Sequence, residues 1–277
     1  MTKEELAIVT VVYQNYDVLA DFLKSLENQT NKNFQLYIVD QSKDIKTIEY
    51  EGSLKYKVIY SQNKGYSHGV NIGLKEGEED DFRHFCVINN DTFFKNDFVD
   101  AVLKSLVKNK NAIVGGKIYY APGYVYHYNR YKDQERGKVL WYAGGYVDWK
   151  HALNFHRGVD EVDHGQYDKE RGTDFITGAL VCFDRVVLSK VGYWDESYFL
   201  YFDDADWCER AKQKGIRLFY DPSIVIWHKV SQSTGGSGSA QHLKYQSRNQ
   251  VPFALRFAPL KTKLHVLKNY LFRSFIK

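Results

Sequence analysis

Cysteine is scarce in this chain, and long uncharged apolar runs are missing altogether. Only three cysteines occur in 277 residues, Cys86, Cys182 and Cys208, and no pair has Cys-x-x-Cys spacing. An odd, scattered set excludes a disulfide framework. Each cysteine sits in an apolar segment or a helix, so all three read as reduced core residues of a cytosolic protein. A mean hydropathy of −0.49 and the lack of a long apolar run argue against a transmembrane span. Met-Thr-Lys-Glu-Glu at the N-terminus leads straight into a strand pattern without the apolar core of a signal peptide, which again points to the cytoplasm. Acidic residues are missing from 241–277, where basic ones are frequent. The net charge of +4 is too mild to imply nucleic acid as a partner.

At 44% hydrophobic, the chain can bury one large core or two small ones. Its 22 tyrosines and 17 phenylalanines suit a carbohydrate-facing groove, where flat rings stack on sugar faces, and equally a tyrosine-rich core and surface. The first half alternates strand and helix. Ala7–Tyr13 is a near-continuous apolar run of the kind a doubly covered parallel strand requires. Leu19, Phe22, Leu23 and Leu26 then recur on one helical face. Phe34–Asp40, Lys57–Tyr60 and His84–Asn89 are further strands. Ser67 is expected to cap a helix running to Glu76, and Val99, Val102, Leu103 and Leu106 mark another. This order predicts a parallel sheet with right-handed crossovers.

The rhythm breaks between Tyr120 and Gly172, which reads as an insertion across the sheet face. Regular structure is expected again over Asp174–Phe183, in a helix around Val186–Val191 and in a helix from Asp204 to Lys214 stopped by Gly215. Two short strands, Leu218–Tyr220 and Ile224–His228, follow, and Ser231–Ser239 reads as a mobile connection. Beyond it, Leu264, Leu267, Leu271 and Phe275 share a helical face ringed by Lys261, Lys268, Arg273 and Lys277. Such a helix lies on an anionic lipid surface or packs on the domain or on a partner chain.

Chemistry gathers where apolar strands end. Val87-Ile88 runs into Asn89-Asn90-Asp91-Thr92, and strand ends of open α/β sheets are where ligands bind, although the same residues make an ordinary turn. Similar polar clusters are Asp40-Gln41-Ser42, Asn63-Lys64-Gly65 with Asn71, Asp203-Asp204-Ala205-Asp206, and Trp227-His228-Lys229. In this order and spacing, from Ile8 to about Gly236, the chain resembles the inverting glycosyltransferases of family two.

The resemblance implies a GT-A nucleotide-sugar-binding fold. It would be an α/β domain over 1–240, with a mostly parallel central sheet flanked by helices and halves meeting near 120, followed by a basic C-terminal tail at 241–277. It implies donor-nucleotide contacts from the first strand (Thr10, Val12), from Asp40 to the pyrimidine, and from Asn63, Gly65, Asn71, Asn89 and Asn90. Asp91 and His228 would hold a divalent cation, Mg²⁺ or Mn²⁺, with Lys229 and Ser233 at the diphosphate. Because Asn89 is neutral, it would bond the ribose or a metal-bound water. Gly178, Trp194 and Asp203 would face the acceptor, and Asp204 would be the catalytic base.

Each position also has a plain structural reading: Asp40, Asp203 and Asp204 as caps, Trp194 as a core aromatic, His228 as a strand-end histidine. The implied partners are a UDP- or dTDP-linked sugar and a glycan or lipid-linked acceptor, with the enzyme in the cytoplasm or peripheral at the inner face of the membrane. Two rivals remain. A sugar-nucleotide nucleotidyltransferase would want a glycine-rich loop after the first strand, where Tyr13-Gln14-Asn15-Tyr16-Asp17 has none. A non-catalytic carbohydrate-binding protein would not need the acidic and histidine positions.

Overall fold

In the computed structural model, residues 5–230 and 239–275 are described, with side chains followed to Leu271. Ser231 and Ser233, and the side chains of Arg273, Phe275 and Lys277, lie outside the described residues. The first half builds β1 (Leu6–Val12), α1 (Leu19–Glu27), β2 (Phe34–Asp40), β3 (Tyr56–Tyr60), α2 (Tyr66–Glu79), β4 (His84–Ile88), β5 (Thr92–Phe94) and α3 (Phe98–Lys108). The strands β3-β2-β1-β4 lie side by side, each pair parallel. Side chains alternate across β1. Leu6, Ile8 and Val12 join the core under α1 and α3, whereas Ala7 and Val9 join the core under α2.

Helix α2 lies unusually close to the sheet. A Cβ placed on Gly73 would come within 2.3 Å of Val9 Cγ1, so only a glycine permits this approach. Ser67 does not cap the helix. Gly65 does, at φ +109°, while Ser67 is buried inside the first turn. The helix therefore starts one residue earlier than Ser67 and continues to Glu79.

The second half supplies β6 (Ala112–Tyr120), β7 (Leu140–Tyr142), β8 (Gly145–Asp148), β9 (Leu153–His156), β10 (Arg171–Gly172), β11 (Leu180–Asp184), α4 (Arg185–Val191), α5 (Asp203–Gln213), β12 (Arg217–His228), α6 (Ala240–Phe257) and α7 (Leu260–Phe275). Sheet order is β10-β12-β6-β11-β4-β1-β2-β3. Strand β11 runs antiparallel to β4 and β6, and β12 runs parallel to β6, which makes the completed sheet mixed. The insertion carries short strands of its own, including the β8–β9 hairpin. Regular structure resumes only at Leu180, since 174–179 approach β11 as irregular chain. The two strands expected at 218–228 are one strand, bulged between Asp221 and Val225. Asp221 accepts from Ser105 Oγ at 2.6 Å there, so a tertiary contact holds together what local sequence reads as a break. All three cysteines are buried and free.

The C-terminal helices divide in character. In α6, Phe253 and Ala254 are buried in the same core as α2, α4 and α5, with the Phe253 ring stacked on Trp149 at 5.8 Å. In α7, Thr262 and Val266 are buried, but Leu260, Leu264, Leu267 and Leu271 are exposed. No helix among the described residues is long and apolar enough to cross a membrane. Phe253→Ala should destabilise the protein by about 3–5 kcal/mol, read by equilibrium denaturation. A loss below about 1 kcal/mol would show that α6 is peripheral to the fold.

Candidate active site

A cleft of about 1100 Å³ opens at the edge of the sheet where β1, β4 and β12 end and β11 begins. Its lining includes Val11 and Tyr13, Asn63 and Gly65, Asn89 to Asp91, Thr177 to Ala179, Asp203 and Asp204, and His228. Parallel strands leave their last carbonyls and side chains at such an edge, so polar residues following apolar runs converge there.

Asp203 and Asp204 open α5, immediately after a strained turn. Tyr201 and Phe202 are both left-handed, at φ 65° and 68°, a conformation costing about 1–2 kcal/mol for each non-glycine residue. Asp204 Oδ2 accepts from the Gly178 amide at 2.8 Å, and its Oδ1 accepts from the Ala205 amide at 2.8 Å. Asp203 Oδ2 accepts from the Ser67 hydroxyl at 3.2 Å. Burial raises both carboxyls above the usual carboxylate range, and the Asp204 charge raises Asp203 further. Neither residue caps α5, whose N-cap is Phe202, but both stand in its first turn where the helix dipole favours a carboxylate, and both carboxyls favour holding a proton.

Asp91 and His228 form the other focus. Asp91 Oδ1 lies 3.0 Å from His228 Nε2, yet neither Asp91 Oδ1 nor His228 Nδ1 has a hydrogen-bond partner. The imidazole is packed edge-on against Trp141, with ring centroids 4.6 Å apart. Behind Trp141, burial pushes His156 down to about 4 and keeps it neutral. Asn89 accepts at Oδ1 from the Tyr66 hydroxyl at 3.0 Å, and the same hydroxyl lies 3.1 Å from the Gly178 carbonyl. One chain of contacts thus links Asn89, Tyr66, Gly178 and Asp204.

Among the described residues no cluster of three or more His, Cys, Asp or Glu is arranged to hold a metal. Asp91 and His228 nevertheless fit a divalent cation. They offer a carboxylate oxygen and an imidazole nitrogen side by side, 3.0 Å apart, which suits a hard ion whose other ligands are phosphate oxygens and water.

Asn63, Gly65, Asn89, Asn90, Asp91, Gly178, Asp203, Asp204 and His228 thus meet in one cleft. Other expected site residues do not reach it. Thr10 and Val12 point to the opposite face of β1 and are fully buried, and Val11 lines the cleft instead, because strand alternation allows only one parity. Asp40 lies beneath Gln41, accepting from the Tyr16 hydroxyl at 2.7 Å and the Ser42 amide at 2.9 Å. Asn71 grips both the amide and the carbonyl of Trp194 at 2.9 Å and reaches Glu196.

Trp194 is a core aromatic, 2% exposed, stacked on Trp207 and set edge-on to Tyr66. It supports Gly178 from behind rather than offering a face to a sugar. Lys229 turns away to Asp21 on α1, at 2.5 Å, so its ammonium is not directed at the cleft. Ser233 lies outside the described residues. Sequence reasoning missed Tyr66, Trp141, His156 and the α6 residues His242 and Tyr245 on the cleft wall. Their contacts join segments far apart in the chain, and no local pattern marks them.

Residues 7–164 match the profile described as Glycosyl transferase family 2. The chain belongs to that family. It is 21% identical over 212 residues to the dTDP-rhamnosyl transferase RfbF of Shigella flexneri, covering 76% of this chain and 60% of that protein. It is 34% identical over 84 residues to the N-acetylglucosaminyl-diphospho-decaprenol L-rhamnosyltransferase of Mycobacterium tuberculosis (strain ATCC 25618 / H37Rv), covering 30% of this chain and 27% of that protein. The chain thus spans less than two thirds of either relative. The crystal structure of GalNAc-T7 with UDP, GalNAc and Mn²⁺ superposes with a TM-score of 0.61 at 13% identity, over 90% of this chain and 48% of that one. The fold is that of the GT-A glycosyltransferases.

Raised carboxyls have a thermodynamic consequence. The folded state holds these protons more tightly than the unfolded chain, so stability falls as pH rises from about 4 through the raised values. Asp203→Asn removes a carboxyl that must take up a proton on folding at neutral pH and should raise Tm at pH 7, by about 2–4 °C for each kcal/mol relieved, with a smaller gain at pH 4. Thermal denaturation at the two pH values checks this, and an equal gain at both would contradict it.

Proposed function

We propose that this family 2 enzyme is inverting. It would transfer a hexose or deoxyhexose from a UDP- or dTDP-linked donor to a hydroxyl of a glycan or lipid-linked acceptor, in cell-surface polysaccharide synthesis. The observation that carries the reading is Asp204, a half-buried carboxylate lining the cleft, fixed by the Gly178 and Ala205 amides and biased toward accepting a proton. In a single displacement, Asp204 takes the proton of the acceptor hydroxyl. The acceptor oxygen forms its bond to the anomeric carbon, and the bond from that carbon to the diphosphate oxygen breaks. The electron pair leaves on the nucleoside diphosphate, and the Asp204 proton passes to solvent. A base with a raised pKa is better matched to neutral pH than an ordinary carboxylate.

Asp91 and His228 would hold a divalent cation, which when bound neutralises charge on the diphosphate. Asn89, fixed by Tyr66, would bond the ribose or water near it, with Asn63 and Gly65 beside the nucleotide. The mycobacterial relative's name specifies a lipid-linked acceptor, and α7 suits work beside such a substrate. Its Leu260, Leu264, Leu267 and Leu271 face outward next to Lys261 and Lys263, while Thr262, donating to the Trp149 carbonyl at 2.6 Å, holds the inner face on the domain. The enzyme would then act from the cytoplasm at the inner membrane face.

Asp204→Asn cannot accept the proton, so turnover should fall on the order of a hundredfold or more, with donor binding nearly unchanged. Asp91→Ala should abolish metal-dependent binding of the nucleotide sugar while the fold survives. Wild-type turnover in the first variant, or full metal-dependent affinity in the second, would refute the corresponding role. For the membrane, sedimentation with anionic vesicles should show binding at low salt, worth ~1 kcal/mol per basic residue near the surface and weakened as salt rises. Indifference to anionic vesicles at low salt would rule it out.

A further inference from the structure

The turn before Asp203 and Asp204 is held from outside by helix α6. Tyr201 and Phe202, consecutive and both left-handed, set the direction in which α5 leaves and therefore where Asp203 and Asp204 point. Nothing in their own side chains favours that conformation, because neither is glycine or asparagine. Three contacts from α6 converge on this turn and the helix it starts. Asn249, 3% exposed, donates from Nδ2 to the carbonyls of Leu200 and Tyr201 at 2.8 and 3.0 Å. The Phe253 ring packs on Phe202 with centroids 5.2 Å apart. Arg256 pairs with Asp206, one turn into α5, and with Asp195 at 3.0 Å. Strained backbone persists only where its surroundings over-determine it, and such sites concentrate where geometry serves function.

We propose that Asn249 is a positioning residue for the glycosyl transfer: its amide, clamping two successive carbonyls, holds the left-handed turn that aims Asp204 at the acceptor hydroxyl. This rests on Asp204 being the base. Asn249 touches no reacting atom, and its effect passes through about three residues of backbone. The C-terminal segment thereby becomes part of the catalytic apparatus rather than an appendage to it.

Asn249→Asp keeps the shape but presents an oxygen to both carbonyls, while Asn249→Ser keeps one donor in a smaller side chain. Both are measured on the full-length protein, below the temperature at which circular dichroism shows any unfolding. Displacing a catalytic group by about an ångström costs up to about a hundredfold, so kcat should drop on the order of 10- to 100-fold in Asn249→Asp and less in Asn249→Ser. Donor KM should stay within about twofold in both. A purely structural role predicts otherwise: a lower Tm, with kcat per folded molecule unchanged. If Asn249→Asp does not fold, Asn249→Ser alone decides. Wild-type kcat in the folded variants, or a loss of kcat matched by an equal rise in donor KM, overturns the proposal. Asp204→Asn run in parallel separates the two ideas. If it retains turnover, the base assignment has failed. If it is inactive while the Asn249 variants are normal, only the clamp has failed.

Discussion

Setting a buried Asp203 beside a half-buried Asp204 takes two neighbouring carboxyls largely out of water, and much of the surrounding architecture offsets that cost. The Gly178 and Ala205 amides and the Ser67 hydroxyl supply the replacement hydrogen bonds. These donors come from three different places: the approach to β11, the first turn of α5 and the first turn of α2. For them to converge, α2 must lie close to β1, which Gly73 permits. The α5 helix must also start from a left-handed turn, which α6 clamps. The start of α2, the approach to β11 and the α6-clamped start of α5 thus meet around one pair of carboxyls.

The opposite side of the cleft follows a different rule. Asp91 and His228 are brought to 3.0 Å by the neighbourhood of β4, β5 and β12. His228 pairs with Thr92 across the β5–β12 ladder, and the Lys229 amide donates to the Asp91 carbonyl at 2.8 Å. Backbone pairing therefore sets the separation of the two side chains more firmly than their own rotamers do. Trp141 closes one side of the imidazole. The Tyr66 hydroxyl between Asn89 and Gly178 then links this region to the Asp204 region through part-buried polar contacts of 3.0 and 3.1 Å.

Much of the first half was legible because strand and helix periodicities are strong there. Phe34–Asp40 is observed over the range expected, and the helices carrying Phe22 and Val102 contain every apolar residue that marked them. Legibility declined where tertiary contacts replaced local pattern. Asp221-Pro222-Ser223 looks like a break yet lies inside one strand, because Ser105 holds Asp221 across the structure. Of the residues singled out by motif order, Asp91, His228, Asp203 and Asp204 line one cleft. Thr10, Val12 and Lys229 stand outside it, since Val11 and His228 line the cleft while they themselves face the core or Asp21, and Asn71 and Trp194 are bound to each other away from it.

What the amino-acid order determined by itself was the alternation of elements and the placing of polar clusters at strand ends, since both depend on hydrophobic period and turn chemistry within a few residues. Which member of each cluster faces the cleft was decided only by tertiary structure, because strand parity, helix rotation and the direction of a strained turn depend on distant partners. Asn249 illustrates the division. In the sequence it is one polar residue in a basic tail, and only packing sets its amide against the backbone that aims Asp204.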